Sequence, residues 1–141
     1  MACKSTVRVW YDENNHPVRY KLLCSGKCKD SDKEECKPAR KEEPTHDGFS
    51  IVEFCQCPDG GKQDGCYIYL RSDVDKYLPK ATTKMHCSYP ADCPDVSKNY
   101  CAPRPVRQQE VPIYEPTGGY TGKMGKFIDF ECQCVSPDDA W

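Results

Sequence analysis

Two sets of six cysteines follow one another along the chain in the same order. The first set is Cys3, Cys24, Cys28, Cys36, Cys55 and Cys57, and the second is Cys66, Cys87, Cys93, Cys101, Cys132 and Cys134. In both sets 21 positions separate the first two cysteines, seven residues lie between the third and fourth, and a Cys-Gln-Cys follows closely after a Phe. Several matches in register indicate an internal duplication. The sequence therefore predicts two tandem six-cysteine modules, residues 1–60 and 66–141, joined by a linker at 58–65.

The cysteine content predicts a disulfide framework. Twelve of the 141 residues are cysteine and only 38% are hydrophobic, so a module of this size cannot bury much apolar surface and needs covalent support. Such a framework is typical of an oxidising compartment, and we expect a secreted, extracellular protein in which all twelve cysteines are paired. Six cysteines allow 15 pairings. The duplication predicts that both modules use the same disulfide pairing, but it does not say which of the 15 it is. The two members of each Cys-Gln-Cys are expected to reach different partners.

Metal binding is the alternative use of so many thiols. Zinc sites favour Cys-x2-Cys pairs, often completed by histidine. The short spacings here are Cys-x3-Cys, Cys-x5-Cys and Cys-x-Cys, and the histidines at 16, 46 and 86 form no spaced pair. We expect neither a metal nor a cofactor.

The first module begins with a hairpin pattern. Apolar residues alternate with polar ones at Val7–Tyr11 and at Val18–Leu22, on either side of a turn-rich stretch. One face of this hairpin is then basic and exposed, and it carries Arg8, Trp10, Arg19 and Lys21. Trp10 on that face is either part of a second packing surface or a binding anchor. Residues 25–48 read mostly as loop, and Ser50–Cys57 reads as a third strand.

The second module keeps this plan with variations. We expect strands at 67–70, 82–87 and 127–134, a helical turn from Asp73 to Lys80, and a β-bulge at Glu131. Residues 102–126 form an insertion rich in Pro and Gly, where regular structure is not expected. The fold class predicted is small, disulfide-rich and mainly β, with about three strands in each module.

Several function classes are disfavoured. No nucleophile elbow, zinc-protease motif or phosphate-binding loop occurs, so we expect no enzyme. The net charge of −2 is divided evenly, with 11 basic and 12 acidic residues in 1–65 and 9 and 10 in 66–141. That balance argues against a nucleic-acid or heparin binder driven by bulk charge. No apolar run reaches the roughly 20 residues of a membrane span. The opening residues, Met1-Ala2-Cys3, carry no signal peptide and suggest a mature secreted chain.

Two segments are candidates for recognition. Lys37–Pro44 follows a cysteine, is bounded by prolines, and could offer Arg40 or Lys41 to a trypsin-like S1 pocket. Its alternative is a solvated charged loop. The insertion at 102–126 is the second candidate, with anchors expected at Arg104, Arg107, Ile113, Tyr114 and Tyr120. Its alternative is a plain loop.

The duplicated six-cysteine pattern and the charged loops resemble arthropod salivary proteins, particularly the cysteine-rich proteins of tick saliva. The pattern differs from the Kunitz and chemokine-binding patterns, and its Cys-Gln-Cys is not the Cys-Trp-Cys-Val of thyroglobulin modules. The resemblance implies a monomeric inhibitor of a host extracellular cascade, which binds a serine protease or a clotting or complement component. The alternative is a structural protein of a matrix, egg coat or cuticle. A small-ligand carrier is disfavoured by the low apolar content.

Overall fold

Eight β-strands make up most of the computed structural model, which describes residues 3–26, 36–57, 65–77, 81–88, 93 and 97–139. No α-helix occurs among these residues. A 3-10 turn, Pro137–Asp139, follows the last strand. The strands are β1 (Lys4–Tyr11), β2 (Pro17–Ser25), β3 (Lys37–Thr45), β4 (Gly48–Gln56), β5 (Ile68–Asp75), β6 (Ala81–Cys87), β7 (Tyr100–Tyr114) and β8 (Tyr120–Val135). The prediction of a small, disulfide-rich, mainly β protein is confirmed, with four strands in each cysteine set where about three were expected.

The strands form two antiparallel sheets of four. The first sheet has the order β2-β1-β8-β7, and the second has the order β3-β4-β5-β6. In the cysteine repeat, β1 to β4 of the first copy correspond to β5 to β8 of the second copy. Replacing each strand of the first sheet by its equivalent in the other copy gives the strand order of the second sheet. Each sheet therefore combines the opening hairpin of one copy with the closing hairpin of the other copy. Neither copy forms a sheet from its own strands alone.

Disulfide bonds connect the two sheets within each copy. Cys24 on β2 is bonded to Cys55 on β4, and Cys87 on β6 is bonded to Cys132 on β8. The remaining described bridges are Cys3–Cys36, Cys66–Cys101 and Cys93–Cys134. Within each set the first cysteine pairs with the fourth and the second with the fifth. The duplication thus correctly predicts a shared pairing for these bridges.

The third bridge is described for one copy only. Cys134 reaches Cys93 while its neighbour Cys132 reaches Cys87, so the members of this Cys-Gln-Cys have different partners, as predicted. Cys57 is also disulfide-bonded. Cys28 and residues 58–64, most of the expected linker, lie outside the described residues.

The core lies between the facing sheets and is lined partly by half-cystines. Val7 and Val9 of β1 are 0% and 1% exposed, and Ile68 and Leu70 of β5 are 0% and 3% exposed. The remaining members of the same buried cluster are Leu22, Cys36, Cys55 and Cys132. The alternation that predicts the first hairpin is confirmed for Val7, Val9 and Leu22, which are buried, whereas Val18 next to the turn is 64% exposed.

Two segments expected to be irregular are strands. Residues 37–45 form β3, and residues 102–126 belong largely to the hairpin of β7 and β8. The prolines of both segments are tolerated because β3 and β7 are edge strands, where a missing N–H leaves no interior hydrogen bond unmade. Proline content alone therefore misled the prediction.

Two smaller predictions are also wrong. Asp73 continues β5 as far as Asp75, so no helical turn begins there, and residues 78–80 lie outside the described part. Glu131 pairs regularly with Arg104, and the nearest register shift falls instead between Pro105 and Arg107. The extra residue of this bulge is on β7, opposite the strand on which it was expected.

Gly125 allows β8 to pass close to β1. A Cβ built at this position would collide with the carbonyl oxygen of Tyr11 and would lie 3.2 Å from Cδ1 of Ile113. The obstacle is backbone, which cannot rotate away as a side chain can.

We expect Gly125→Ala to lower the free energy of unfolding by about 1–3 kcal/mol, the usual cost of overpacking. Guanidinium unfolding with the disulfides intact measures this change. Gly119→Ala is the matched control, because its nearest neighbour beyond the adjoining residues is a side-chain oxygen of Glu115 at 3.9 Å. Equal stability of the two variants would show that β8 does not pass Tyr11 this closely.

Candidate binding surfaces

Arg40 and Lys41, the residues predicted to contact a protease, lie on the edge strand β3. Both side chains are exposed, and as neighbours on a strand they point to opposite faces of the sheet. Lys41 Nζ lies 3.0 Å from Glu43 Oε1, and Arg71 Nη2 lies 3.4 Å from Glu43 Oε2. Lys41 is thus held by an ion pair within its own sheet. The segment Lys37–Thr45 is an extended strand paired with β4 along its length.

The Glu43 ion pairs border a groove on the outer face of the second sheet. This cavity has a volume of about 380 Å³. Its apolar and aromatic lining comes from Val52, Phe54, Tyr67 and Tyr69, and Lys41, Glu43 and Arg71 supply charged groups. The hydrogen bond from Lys41 is the main cause that lowers the pKa of Glu43, and the charges of Lys41 and Arg71 add to it.

This lowered pKa gives a test of how Lys41 is engaged. Above its ordinary pKa, Glu43 is ionised and its ion pairs favour the folded state. That contribution is lost as the pH falls through the lowered value. We expect Lys41→Ala to raise the pKa of Glu43 toward its ordinary value, as measured by ¹³C NMR titration of its carboxyl carbon. Arg40→Ala is the control and should leave that pKa unchanged. A pKa that responds equally to both changes would rule out the Lys41 ion pair.

The predicted residues of the insertion fall into two separate groups. Arg104 and Arg107 are opposite Glu131 and Asp129 of β8, on the outer face of the first sheet. In a regular strand, residues three positions apart point to opposite faces. The bulge at Val106 restores both arginines to one face, and it leaves Val106 itself 45% exposed.

The other group lies at the far end of the β7–β8 hairpin. Tyr114 and Tyr120 are paired across the two strands, with ring centroids 6.1 Å apart, and they are 60% and 57% exposed. Tyr120 also donates a hydrogen bond to Met124 Sδ at 3.7 Å, and Met124 is 47% exposed. Ile113, the remaining predicted residue, is half-buried and packs toward Gly125.

Backbone hydrogen bonds fix the turn between these tyrosines. The amide of Glu115 donates to the carbonyl of Gly119 at 2.7 Å, and the amide of Gly118 donates to Glu115 at 2.8 Å. Gly118 has a φ of 97°, which a residue with a Cβ seldom adopts. Thr121 Oγ1 donates to the carbonyl of Ile113 at 2.8 Å. The aromatic pair is therefore held on a defined turn.

A stack of rings and guanidinium groups covers the outer face of the first sheet. The Arg8 guanidinium carbon lies 4.1 Å from the ring centre of Phe127, and that of Arg107 lies 5.4 Å from the same centre. Arg19 lies 4.6 Å from the ring of Trp10, which packs against Phe127 at 6.4 Å. Trp10 thus belongs to a packing surface on the face predicted to be exposed and basic.

Asp129 anchors this stack beneath Arg8. Arg8 donates two hydrogen bonds to it, from Nε at 2.7 Å and from Nη2 at 3.1 Å, and Asp129 is only 6% exposed. This interaction is the main cause that raises the pKa of Arg8. The sequence places Asp129 and Phe127 in a strand but cannot show that they lie beside Arg8, because the pairing of β1 with β8 is set by the exchange between copies.

The cysteine sulfurs also cluster in space. Among the described residues, three groups of three sulfur atoms occur, and the sulfurs within each group lie within 4.8 Å of one another. The groups are Cys24, Cys36 and Cys55; Cys66, Cys93 and Cys134; and Cys87, Cys101 and Cys132. These sulfurs belong to disulfides that lie side by side. In the oxidised protein they are bonded to sulfur and are not thiolates, the form that binds zinc.

Among the described residues, no histidine ring nitrogen belongs to these sulfur clusters. His86 stacks on Tyr69 with ring centres 5.6 Å apart, and His16 lies 3.8 Å from Asp12 in an exposed turn. His46 lies in the exposed turn between β3 and β4. Across the described ranges, the chain has no helix long and apolar enough to cross a bilayer.

No protein-family model, curated protein or solved structure matches this chain. Its function must therefore be argued from the surfaces described above.

Proposed function

We propose that this protein is a secreted, non-enzymatic binding protein that captures an extracellular protein through the tip of its β7–β8 hairpin. The tip comprises Tyr114 to Tyr120 together with Met124. Its biological role, implied by the resemblance to cysteine-rich salivary proteins, is to inhibit a host cascade such as coagulation or complement.

The exposed tyrosine pair at the end of a projecting hairpin is the observation that carries this proposal. β1 pairs with β8 only between Lys126 and Phe130, so the described strands beyond Gly125 are β7 and β8 alone. Near the base, Lys123 Nζ contacts Glu13 Oε1 at 3.2 Å and ties the hairpin to the β1–β2 turn. The tip is therefore exposed to solvent, while the ion pair near its base holds the hairpin in place.

The tip also has the chemistry of a recognition site. Tyrosine supplies a large contact area with few rotatable bonds, and aromatic residues are common anchors of protein interfaces. The turn hydrogen bonds order the tip in advance, which reduces the entropy lost on binding. Nearby Met124 adds a flexible apolar contact.

Direct protease inhibition through β3 is the second candidate. Arg40 is exposed on an edge strand, and it makes no ion pair with any described residue. An extended edge can pair with a protease backbone. The ion pair of Lys41 with Glu43, and the prolines of β3, which cannot donate hydrogen bonds to an added strand, make this strand less available than the hairpin tip.

A structural role would require self-association. The prolines of the edge strands β3 and β7 oppose growth by strand addition at those edges. Sedimentation velocity at neutral pH would measure this directly. A stable monomer would agree with the binding role, and concentration-dependent assembly would favour the structural one.

We expect immobilised, oxidised protein to retain a clotting or complement component from plasma, and the double variant Tyr114→Ala/Tyr120→Ala to lose at least tenfold in affinity for it. Interface anchors cost about 2 kcal/mol or more when truncated, which is the basis of this estimate. Mass spectrometry identifies the bound protein, and surface plasmon resonance gives the affinity. Reduced and alkylated protein is the negative control.

Tyr77→Ala is the matched surface control, because Tyr77 is 74% exposed and lies just after β5 of the other sheet. Arg40→Ala/Lys41→Ala separates the two candidate sites. Loss of binding in that variant alone would assign the site to β3. The proposal fails if no cascade component is retained and neither clotting nor complement lysis is slowed.

A further inference from the structure

The outer face of the first sheet concentrates positive charge that the sequence average conceals. Cross-strand pairing places six basic residues on this face and two acidic ones, Asp129 and Glu131. The basic residues, here called the arginine face, are Lys4, Arg8, Arg19, Lys21, Arg104 and Arg107. The face carries a surplus of four positive charges in a chain whose net charge is −2.

The sequence repeat provides an internal comparison. Arg8 corresponds to Arg71, Lys21 to Lys84 and Arg107 to Lys41, so both sheets keep three cations at equivalent positions. On the second sheet these positions are accompanied by Glu43, Asp73 and an aromatic groove. Asp129 is replaced there by Val52. Only the first sheet has become a predominantly cationic face.

We propose that the arginine face binds a sulfated polysaccharide. Positive charges on three of the four strands, β1, β2 and β7, complement an extended chain with repeated anionic groups. A guanidinium stacked on a ring, as Arg19 is on Trp10, still presents its N–H edge to sulfate oxygens. Arg19 and Arg107 make no ion pair with any described residue, so their charges are available to a ligand. This binding is independent of the hairpin tip.

The surface is less suited to the other polyanions. A protein partner needs an apolar anchor, but Phe127 is 6% exposed beneath Arg8, and Trp10 is flanked by Arg19. Single-stranded nucleic acid needs open ring faces for base stacking, which the same covering denies. The disulfide framework is typical of an extracellular setting, where sulfated polysaccharides occur.

Isothermal titration with heparin at physiological salt tests this proposal. We expect measurable binding that weakens steeply with added salt, as the release of counterions from a polyanion requires. The double variant Lys21→Ala/Arg107→Ala should bind about tenfold or more weakly, with a shallower salt dependence. The control is the repeat-equivalent pair Lys84→Ala/Lys41→Ala, which removes the same charge and should retain the affinity.

Other polyanions, the tyrosine variant and a folding control separate the possible outcomes. Desulfated heparin, polyglutamate and a DNA duplex should each bind much more weakly than heparin. Tyr114→Ala/Tyr120→Ala should bind heparin normally, so failure of the hairpin proposal leaves this result unaffected. Thermal unfolding confirms that the variants fold. Absent heparin binding, equal loss in both charge pairs, or equal affinity for polyglutamate or DNA would overturn the proposal.

Discussion

The antiparallel pairing of β1 with β8, and of β4 with β5, is the contact on which the rest of the structure depends. Each of these pairings joins a strand of one cysteine repeat to a strand of the other. Disulfides such as Cys24–Cys55 and Cys87–Cys132 then join the two sheets within a repeat. Hydrogen bonds and covalent bonds thus connect the chain in two different directions. Small β units need several strands and a buried face to be stable. With only one of these two kinds of bond, the hairpins would share only a thin apolar layer, and we expect the fold to be less stable.

The positions of both candidate surfaces follow from this arrangement. β7 becomes an edge strand, where its prolines are tolerated and where the bulge at Val106 can place Arg104 and Arg107 together. β8 continues past the end of β1 and carries the tyrosine pair beyond the body of the sheet. Arg8 meets Asp129 only because β1 lies beside β8. The exposed tyrosine pair and the charged face therefore arise on the same sheet without disturbing the core between Val7 and Ile68.

Much of the fold was predictable from the sequence, and the failures have identifiable physical causes. Alternation of apolar residues correctly predicted the first hairpin and the closing strands, because Val7, Val9 and Leu22 need a buried face. The cysteine repeat predicted a common bridge pattern. Local pattern could not show which hairpins share a sheet, since strand pairing between distant segments leaves no local signature. Proline-based reasoning failed for β3 and β7 because edge position, a tertiary property, removes the penalty. Tyr114 and Tyr120 could be proposed as binding residues from their chemistry alone, whereas the contact of Phe127 and Asp129 with Arg8 needed the strand register.

The exchange of hairpins between the repeats makes the molecule a pseudo-dimer contained in one chain. Two separate copies of a single repeat could pair their strands in the same way, but every substitution would then appear on both sheets at once. Covalent fusion removes that restriction. One sheet can accumulate arginines while its counterpart keeps a mixed, aromatic groove, because the positions of Asp129 and Val52 are encoded separately. Broken symmetry is thus what allows a small cross-braced scaffold to present two chemically different sides.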